Sequence, residues 1–105
     1  MPQFLYRIQP VRVEVLRGGA TEVEIKTIDE HFSYLKRLAE EGVVFLAGRT
    51  TNTEYSSFGI VIFNASSEDE ARQIMLNDPA VKQRIFRAEL FPYSTAILSD
   101  KAVKK

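Results

Sequence analysis

Two short and almost unbroken apolar runs, residues 43–47 and 58–63, constrain the fold of this chain more than any other feature. Apolar runs of this length, rich in Val, Ile and Phe, are typical of buried β-strands. The stretch between them, residues 50–57, is polar and is predicted to be a loop. Because the runs are apolar at consecutive positions, we expect both faces of the sheet that they form to be covered.

A long amphipathic helix is predicted before the first run. Thr21 and Glu24 have the spacing of a capping box, and Gly42 is suited to end the helix. Two alternatives are open at its start: a second box at residues 27–30, or a hairpin through residues 11–25 that turns at Gly18 and Gly19. The helix is favoured because apolar side chains recur every three or four residues, at Ile25, Ile28, Phe32, Leu35, Leu38 and Ala39.

A second helix is predicted after the second run. Ser67 and Glu70 have capping-box spacing at its start, and an apolar stripe follows. Pro79 disfavours helical geometry at Asp78, so a new short helix is predicted over residues 79–84. Strands are predicted at residues 4–8 and 86–98, and Pro92 implies a sheet edge or a bulge in the last strand.

The predicted order is β-α-β-β-α-β, the split βαβ or ferredoxin-like plan, which is an α+β fold. We expect a four-stranded antiparallel sheet with two helices on one face. The 105 residues fit a single domain, with a core at 1–98 and a C-terminal tail at 99–105. Since two helices cover only one face, a second copy packed against the open face is predicted, giving a homodimer.

Composition excludes several classes of function. Lys plus Arg and Asp plus Glu both number 14, and a neutral chain without a basic cluster is a poor nucleic-acid binder. With no Cys and one His, the sequence predicts neither a thiolate nucleophile nor a metal site. Neither a signal peptide nor a membrane-spanning stretch is visible, so we expect a cytoplasmic protein without membrane partners.

His31 and Asp78 are the candidate catalytic residues. His31 borders the apolar stripe of the first helix, and Asp78 continues the apolar face of the second. Since both helices pack on one side of the sheet, these two side chains can meet, and a carboxylate bonded to one imidazole nitrogen raises the basicity of the other. The alternative interpretation is structural: a satisfied core histidine, and an aspartate that caps a turn before proline.

Three further residues are candidates for substrate binding. Tyr34, three residues after His31, is predicted either to line the same pocket or to lie at the helix edge. Arg49, at the end of the second strand, is predicted either to bind an anionic group or to be a solvated charge. Arg7, within the first strand, needs a partner; Glu89 on the last strand is the candidate, in a pair that is structural or forms the floor of a cleft.

The chain resembles the YciI (YCII-related) family from Phe4 to about Ile97. The resemblance rests on His31-x-x-Tyr34-Leu35, on Ala47-Gly48 after the second strand, and on Asp78-Pro79 after the second helix. It implies a dimeric α+β barrel, in which a His and an Asp in a cleft are proposed as the catalytic centre. These positions correspond to His31 and Asp78. One branch of the family is implicated in dehydrochlorination of chlorinated hydroquinones.

The sequence therefore predicts a small enzyme without a cofactor. A His31/Asp78 acid–base pair would act on a small molecule, with an aromatic one as a candidate, by elimination, isomerisation or hydrolysis. The alternative is a dimeric ligand-binding or accessory domain with the same cleft and no turnover.

Overall fold

The computed structural model describes residues 1–101, so the last four residues of the predicted tail lie outside the described part of the chain. The strands are Gln3–Pro10 (β1), Val44–Arg49 (β2), Gly59–Asn64 (β3) and Phe86–Tyr93 (β4). The α-helices are Glu22–Glu40 (α1), Glu68–Leu76 (α2) and Pro79–Lys82 (α3). None of the described helices is long and apolar enough to cross a membrane.

The strands form one antiparallel sheet in the order β2-β3-β1-β4. This is the ferredoxin-like arrangement that the element order predicts. The two central strands, β1 and β3, carry the core on their helix-facing side, where Tyr6 lies opposite Val61 and both are almost fully buried. Pro92 lies in the edge strand β4, as its missing N–H requires.

The segment before α1 forms neither a hairpin nor an open loop. Residues Val13–Arg17 form a 3₁₀-helix, which ends at Gly18 with a φ of 80°, in the left-handed region that glycine adopts at little cost. The reciprocal capping box of Thr21 and Glu24 is present, so α1 begins at the earlier of the two predicted positions. At α2 the box is incomplete: Ser67 accepts from the Glu70 N–H, while the Glu70 carboxylate accepts from the N–H of Ser66.

The buried face of α1 differs from the apolar stripe predicted for it. Ile25 and Phe32 are more than half exposed. The buried positions are Glu24, Thr27, His31, Leu35 and Leu38. The first turns of α1 are thus oriented by polar partners: Glu24 binds Arg12, and His31 binds Asp78.

No helix within residues 1–101 covers the second face of the sheet. Leu5 of β1 lies between Ile62 and Phe91 on this face, and Leu46 of β2 is paired with Ile62. Leu46 and Phe91 remain 40% and 38% exposed. We call this surface, formed by alternate residues of the four strands, the open sheet face. β4 ends at Tyr93, five residues before the predicted end of the last strand.

Candidate functional site

The turn between α2 and α3 fixes the position of Asp78. Its backbone is extended (φ −61°, ψ 122°), as expected for a residue before proline, and Pro79 begins α3. Asp78 Oδ1 accepts a hydrogen bond of 3.0 Å from the N–H of Ala80, so the carboxylate caps α3. The side chain is fully buried. The sequence left two interpretations of Asp78 open, a helix cap and a member of the site. A carboxylate that caps α3 with one oxygen can still contact a second residue, so the two interpretations are compatible.

His31 meets Asp78 beneath the sheet. His31 Nδ1 lies 2.8 Å from both Asp78 Oδ1 and Asp78 Oδ2, and the imidazole is 3% exposed. A carboxylate offers only acceptors, so Nδ1 carries a proton and donates it to Asp78. The structure therefore brings together the two residues whose helical spacing suggested that they would meet.

Tyr6 completes a network that the sequence analysis missed. Its hydroxyl donates a hydrogen bond of 2.7 Å to Asp78 Oδ2, and the side chain is fully buried. Burial, and then the negative charge of Asp78, raise the pKa of Tyr6 far above its ordinary value. Tyr6 therefore stays protonated and remains a donor. The available signal was strand alternation, which places a tyrosine on the buried face of β1, where its hydroxyl needs a partner.

The second imidazole nitrogen of His31 is not used by the Asp78 contact, and His31 lines a cleft. No hydrogen bond involves Nε2 in the described part of the chain, yet no side-chain polar atom there is both fully enclosed and unpartnered. Nε2 therefore retains contact with solvent, and His31 lines a cavity of about 690 Å³. Only one ring nitrogen is committed to Asp78, and the other is available to a molecule in the cleft.

The cleft lies between α1 and the ends of β1, β2 and β3, and most of its lining is apolar. Phe32 and Phe86 stand edge-on to the imidazole of His31, with ring centroids 5.1 and 5.3 Å from it. Its polar side chains are Lys36, Arg49, Ser57 and His31 itself. A largely apolar cavity with a few polar groups is typical of a site for a small organic molecule.

The three predicted substrate-binding residues occupy different places. Arg49 lines the cleft. Tyr34 lies outside it: its hydroxyl donates to the Ile74 carbonyl (2.7 Å), and burial, followed by the Asp78 charge, raises its pKa to about 12. Arg7 pairs with Glu89 across β1 and β4 at 3.0 Å, with both side chains largely exposed. This geometry gives Tyr34 and Arg7 structural contacts and leaves Arg49 beside the cavity.

Residues 1–101 contain no cluster of three or more His, Cys, Asp or Glu side chains suited to hold a metal ion. The buried polar groups that contact one another here are one imidazole, one carboxylate and one phenol, which form a hydrogen-bond network. The arrangement can bind an organic molecule, orient it on apolar walls, and exchange a proton with it at Nε2.

Comparison with known proteins agrees with this architecture. The family model of the YCII-related domain matches residues 7–92, which include His31, Asp78 and all four strands in whole or in part. The chain belongs to the YCII-related family. No curated protein matches its sequence.

A solved structure shares the YCII fold seen here. It is 5-chloro-2-hydroxyhydroquinone dehydrochlorinase (TftG) from Burkholderia phenoliruptrix AC1100, in complex with 2,5-dihydroxybenzoquinone. The two proteins are 24% identical, the match covers 90% of this chain and 94% of that chain, and the TM-score is 0.62. At this identity the likeness establishes the fold.

Proposed function

We propose that this protein is a small-molecule enzyme in which His31 exchanges a proton with the ligand and Asp78 holds His31 in place. The observation that carries the proposal is the bonding of His31: Nδ1 lies 2.8 Å from a buried carboxylate, Nε2 makes no hydrogen bond within residues 1–101, and His31 lines the cleft. Held in this tautomer, a neutral imidazole presents an unshared electron pair at Nε2, which is the arrangement of a general base.

Asp78 also stabilises the product of proton transfer. When Nε2 takes a proton, His31 becomes a cation, and the adjacent carboxylate favours that charge. Tyr6 and the Ala80 N–H supply two further hydrogen bonds to Asp78, so the carboxylate does not need to turn during the reaction. The proton taken by Nε2 can be returned to the ligand or to a departing group.

The ligand class is supported by the cleft walls and by the structural neighbour. Aromatic side chains at Phe32 and Phe86 suit a flat, apolar molecule. TftG is named for removing chloride from a chlorinated hydroxyhydroquinone. In an elimination of this kind, the ring carbon that bears the chlorine first gains a proton while a hydroxyl group loses one, which gives the keto tautomer. A base then removes a second hydroxyl proton, and the released electron pair expels chloride and leaves a hydroxyquinone. We therefore propose elimination from a small aromatic molecule.

A homodimer through the open sheet face is the proposed assembly. Beside the Arg7–Glu89 pair, this face carries apolar side chains such as Leu46 and Phe91, which would otherwise remain in water. Two copies packed face to face would cover both surfaces at once, and an isologous contact of this kind closes as a dimer. The YciI resemblance in the sequence points to the same assembly.

Chloride release tests the enzymatic proposal. The purified chain is incubated without oxygen with 5-chloro-2-hydroxyhydroquinone and with other monochlorinated dihydroxy- and trihydroxybenzenes. We expect release from at least one, and a loss of roughly 10²–10⁴-fold in His31→Gln, the usual contribution of general acid–base catalysis. Lys26→Gln, on the exposed side of α1, is the control and should retain the wild-type rate.

The competing function is ligand binding without turnover, as an accessory domain. The same cleft would serve it, since nothing in binding requires a base at Nε2. Saturable binding of these compounds with no chloride release from any of them would contradict the enzyme and favour the binding domain. Equal rates for wild type and His31→Gln would instead remove His31 from the mechanism.

A further inference from the structure

The charged side chains that line the cleft are cations. They are Lys36 and Arg49, and the lining contains no Asp or Glu from residues 1–101. Within that same part of the chain, neither cation has a carboxylate oxygen within 4.0 Å. The formal charge of the whole chain is zero, so this local excess of positive charge is a property of the cleft.

Strand register places Arg49 on the side of the sheet that carries the cleft. Arg49 is paired with Gly59, and Gly59 with Ile8, whose side chain is buried on the helix-facing side. The guanidinium makes only one hydrogen bond in the described chain, a long contact of 3.3 Å to the neighbouring Thr50 carbonyl. Most of its donors therefore remain free to bind a ligand.

The second cation and the aromatic wall come from α1. Lys36 follows Phe32 by four residues, so the two side chains are neighbours on one face of the helix. Both line the cleft, and Phe32 is 58% exposed despite its size. Phe86 of β4 supplies a second ring beside His31. A flat apolar body thus has aromatic contacts, and a negative group on it has cations within the same cavity.

We propose that the ligand of this cleft is a flat organic acid whose oxyanion, a carboxylate or a phenolate, binds Arg49. Its ring lies against Phe32 and Phe86 and presents its reactive position to Nε2 of His31. Arg49 is the preferred partner because a planar guanidinium matches two oxygens of one group, whereas Lys36 contributes a single ammonium. This inference rests on the proposed function in taking the cleft as the ligand site and His31 as the group that faces the reactive position.

The charge pattern also suits the proposed chemistry. When a base removes a proton from an aromatic molecule, negative charge accumulates on the ligand. A cation in a mostly apolar cavity stabilises that charge more than water does. An acidic side chain in the lining would oppose it, and residues 1–101 contribute none to the lining.

Pairs of ligands with similar shape, one anionic and one neutral, test this proposal. The pairs are benzoate with benzamide, 1-naphthoate with 1-naphthamide, and 2,4-dinitrophenolate with 2,4-dinitroanisole. Affinities come from amide chemical-shift titrations of the full chain at low salt. We expect at least one anion to bind about tenfold more tightly than its neutral partner, the effect of one charge-assisted hydrogen bond, with shifts at cleft residues. A preference in the two carboxylate pairs indicates that the site binds a carboxylate, and a preference in the phenolate pair indicates that it binds a phenolate.

Variants identify the responsible cation. Arg49→Gln should bring the ratio of affinities close to one, and Arg49→Lys should retain part of it. Arg72→Gln is the control: this arginine pairs with Glu68 on the exposed side of α2, so its variant should keep the full preference. A preference that survives in Arg49→Gln, equal affinities in every pair, or shifts away from the cleft would overturn the proposal.

The result is independent of turnover. A chain that prefers anions at the cleft and releases no chloride would uphold this inference while contradicting the enzymatic proposal. A chain that releases chloride and binds acids and amides equally would do the reverse.

Discussion

Asp78 satisfies three hydrogen-bond donors with one carboxylate. It accepts from His31, Tyr6 and the Ala80 N–H, at distances of 2.7 to 3.0 Å. A fully buried carboxylate without such partners would be costly, because burial removes its hydration. The same bonds that stabilise the carboxylate orient the imidazole, so stability and the candidate chemistry depend on the same atoms.

Asp78→Asn should destabilise the fold. Both carboxylate oxygens of Asp78 accept hydrogen bonds, whereas an amide has only one acceptor oxygen. The NH2 group of Asn would therefore point at a hydrogen-bond donor, and that bond would be lost. We expect the free energy of unfolding to fall by about 1–3 kcal/mol, as when a buried polar group loses its partner. Urea unfolding measures the change. Asp29→Asn, exposed on α1, should stay within about 0.5 kcal/mol of wild type, and an equal effect of both variants would contradict the buried network.

At the scale of elements, the start of α1 is held from two sides. Glu24 accepts from the Thr21 N–H at 2.8 Å and from the Arg12 guanidinium at 2.9 Å, and the pair ties the segment that carries the 3₁₀-helix to α1. The hydrogen bond from Arg12, and then that from the Thr21 backbone, lower the pKa of Glu24 below its ordinary value. Stability gained from such a group is present above the unfolded-state pKa and is lost as the pH falls.

Glu24→Gln should therefore remove part of the acid sensitivity of the protein. The variant should be less stable than wild type at pH 7, and the difference should shrink as the pH falls below about 4.5, the ordinary pKa of this carboxyl. Urea midpoints from pH 7 to pH 3 measure this. Glu22→Gln, exposed in the same turn, is the control; a constant difference between wild type and Glu24→Gln at all pH values would contradict the ion pair.

The elements show which part of this structure is readable from the sequence. Strand and helix order followed from apolar periodicity and from capping residues, because these signals are local. The orientation of α1 did not follow, because it depends on Arg12 and Asp78, which contact the helix from distant positions. His31 and Asp78 were identifiable by helical spacing, whereas the contact of Tyr6 with Asp78 spans 72 residues and has no local signal beyond strand alternation.

At the scale of the molecule, the Asp78 network joins three elements from the two layers of the fold. Tyr6 belongs to β1, His31 to α1, and Asp78 to the turn before α3. Tyr34 lies nearby, with its hydroxyl on the last turns of α2. The raised pKa values of both tyrosines make global stability sensitive to alkali. The folded state keeps their protons where the unfolded chain releases them, so stability is full below pH 10 and falls above it.

Tyr6→Phe should flatten this alkaline loss. We expect the variant to be less stable at pH 7, since it lacks the hydrogen bond to Asp78, and to lose stability less steeply above pH 10, the ordinary pKa of a tyrosine. Urea unfolding between pH 8 and pH 11.5 provides the measurement. Tyr55→Phe removes a phenol that is 77% exposed and should leave the slope unchanged. Equal slopes for wild type and Tyr6→Phe would contradict the burial of this phenol.

The open sheet face predicts the oligomeric state. Sedimentation equilibrium at micromolar protein should give about 24 kDa, twice the 12.0 kDa of one chain. Phe91→Lys places a charge on this face and should shift the mass toward the monomer. Leu76→Lys, at a similarly exposed leucine of α2, should leave the dimer intact. A wild-type mass of about 12 kDa would contradict the assembly.

The tautomer of His31 tests the central claim most directly. The claim is that Nδ1 carries a proton and donates it in a hydrogen bond to Asp78, which leaves Nε2 available to the ligand. In a long-range ¹H–¹⁵N spectrum of the only histidine, recorded at neutral pH, we expect Nδ1 to have the shift of a nitrogen that carries a proton. The Nε2 signal should move when a ligand enters the cleft. A proton on Nε2 with none on Nδ1 would contradict the claim. So would an Nε2 signal that does not move when a ligand changes the chemical shifts of other cleft residues.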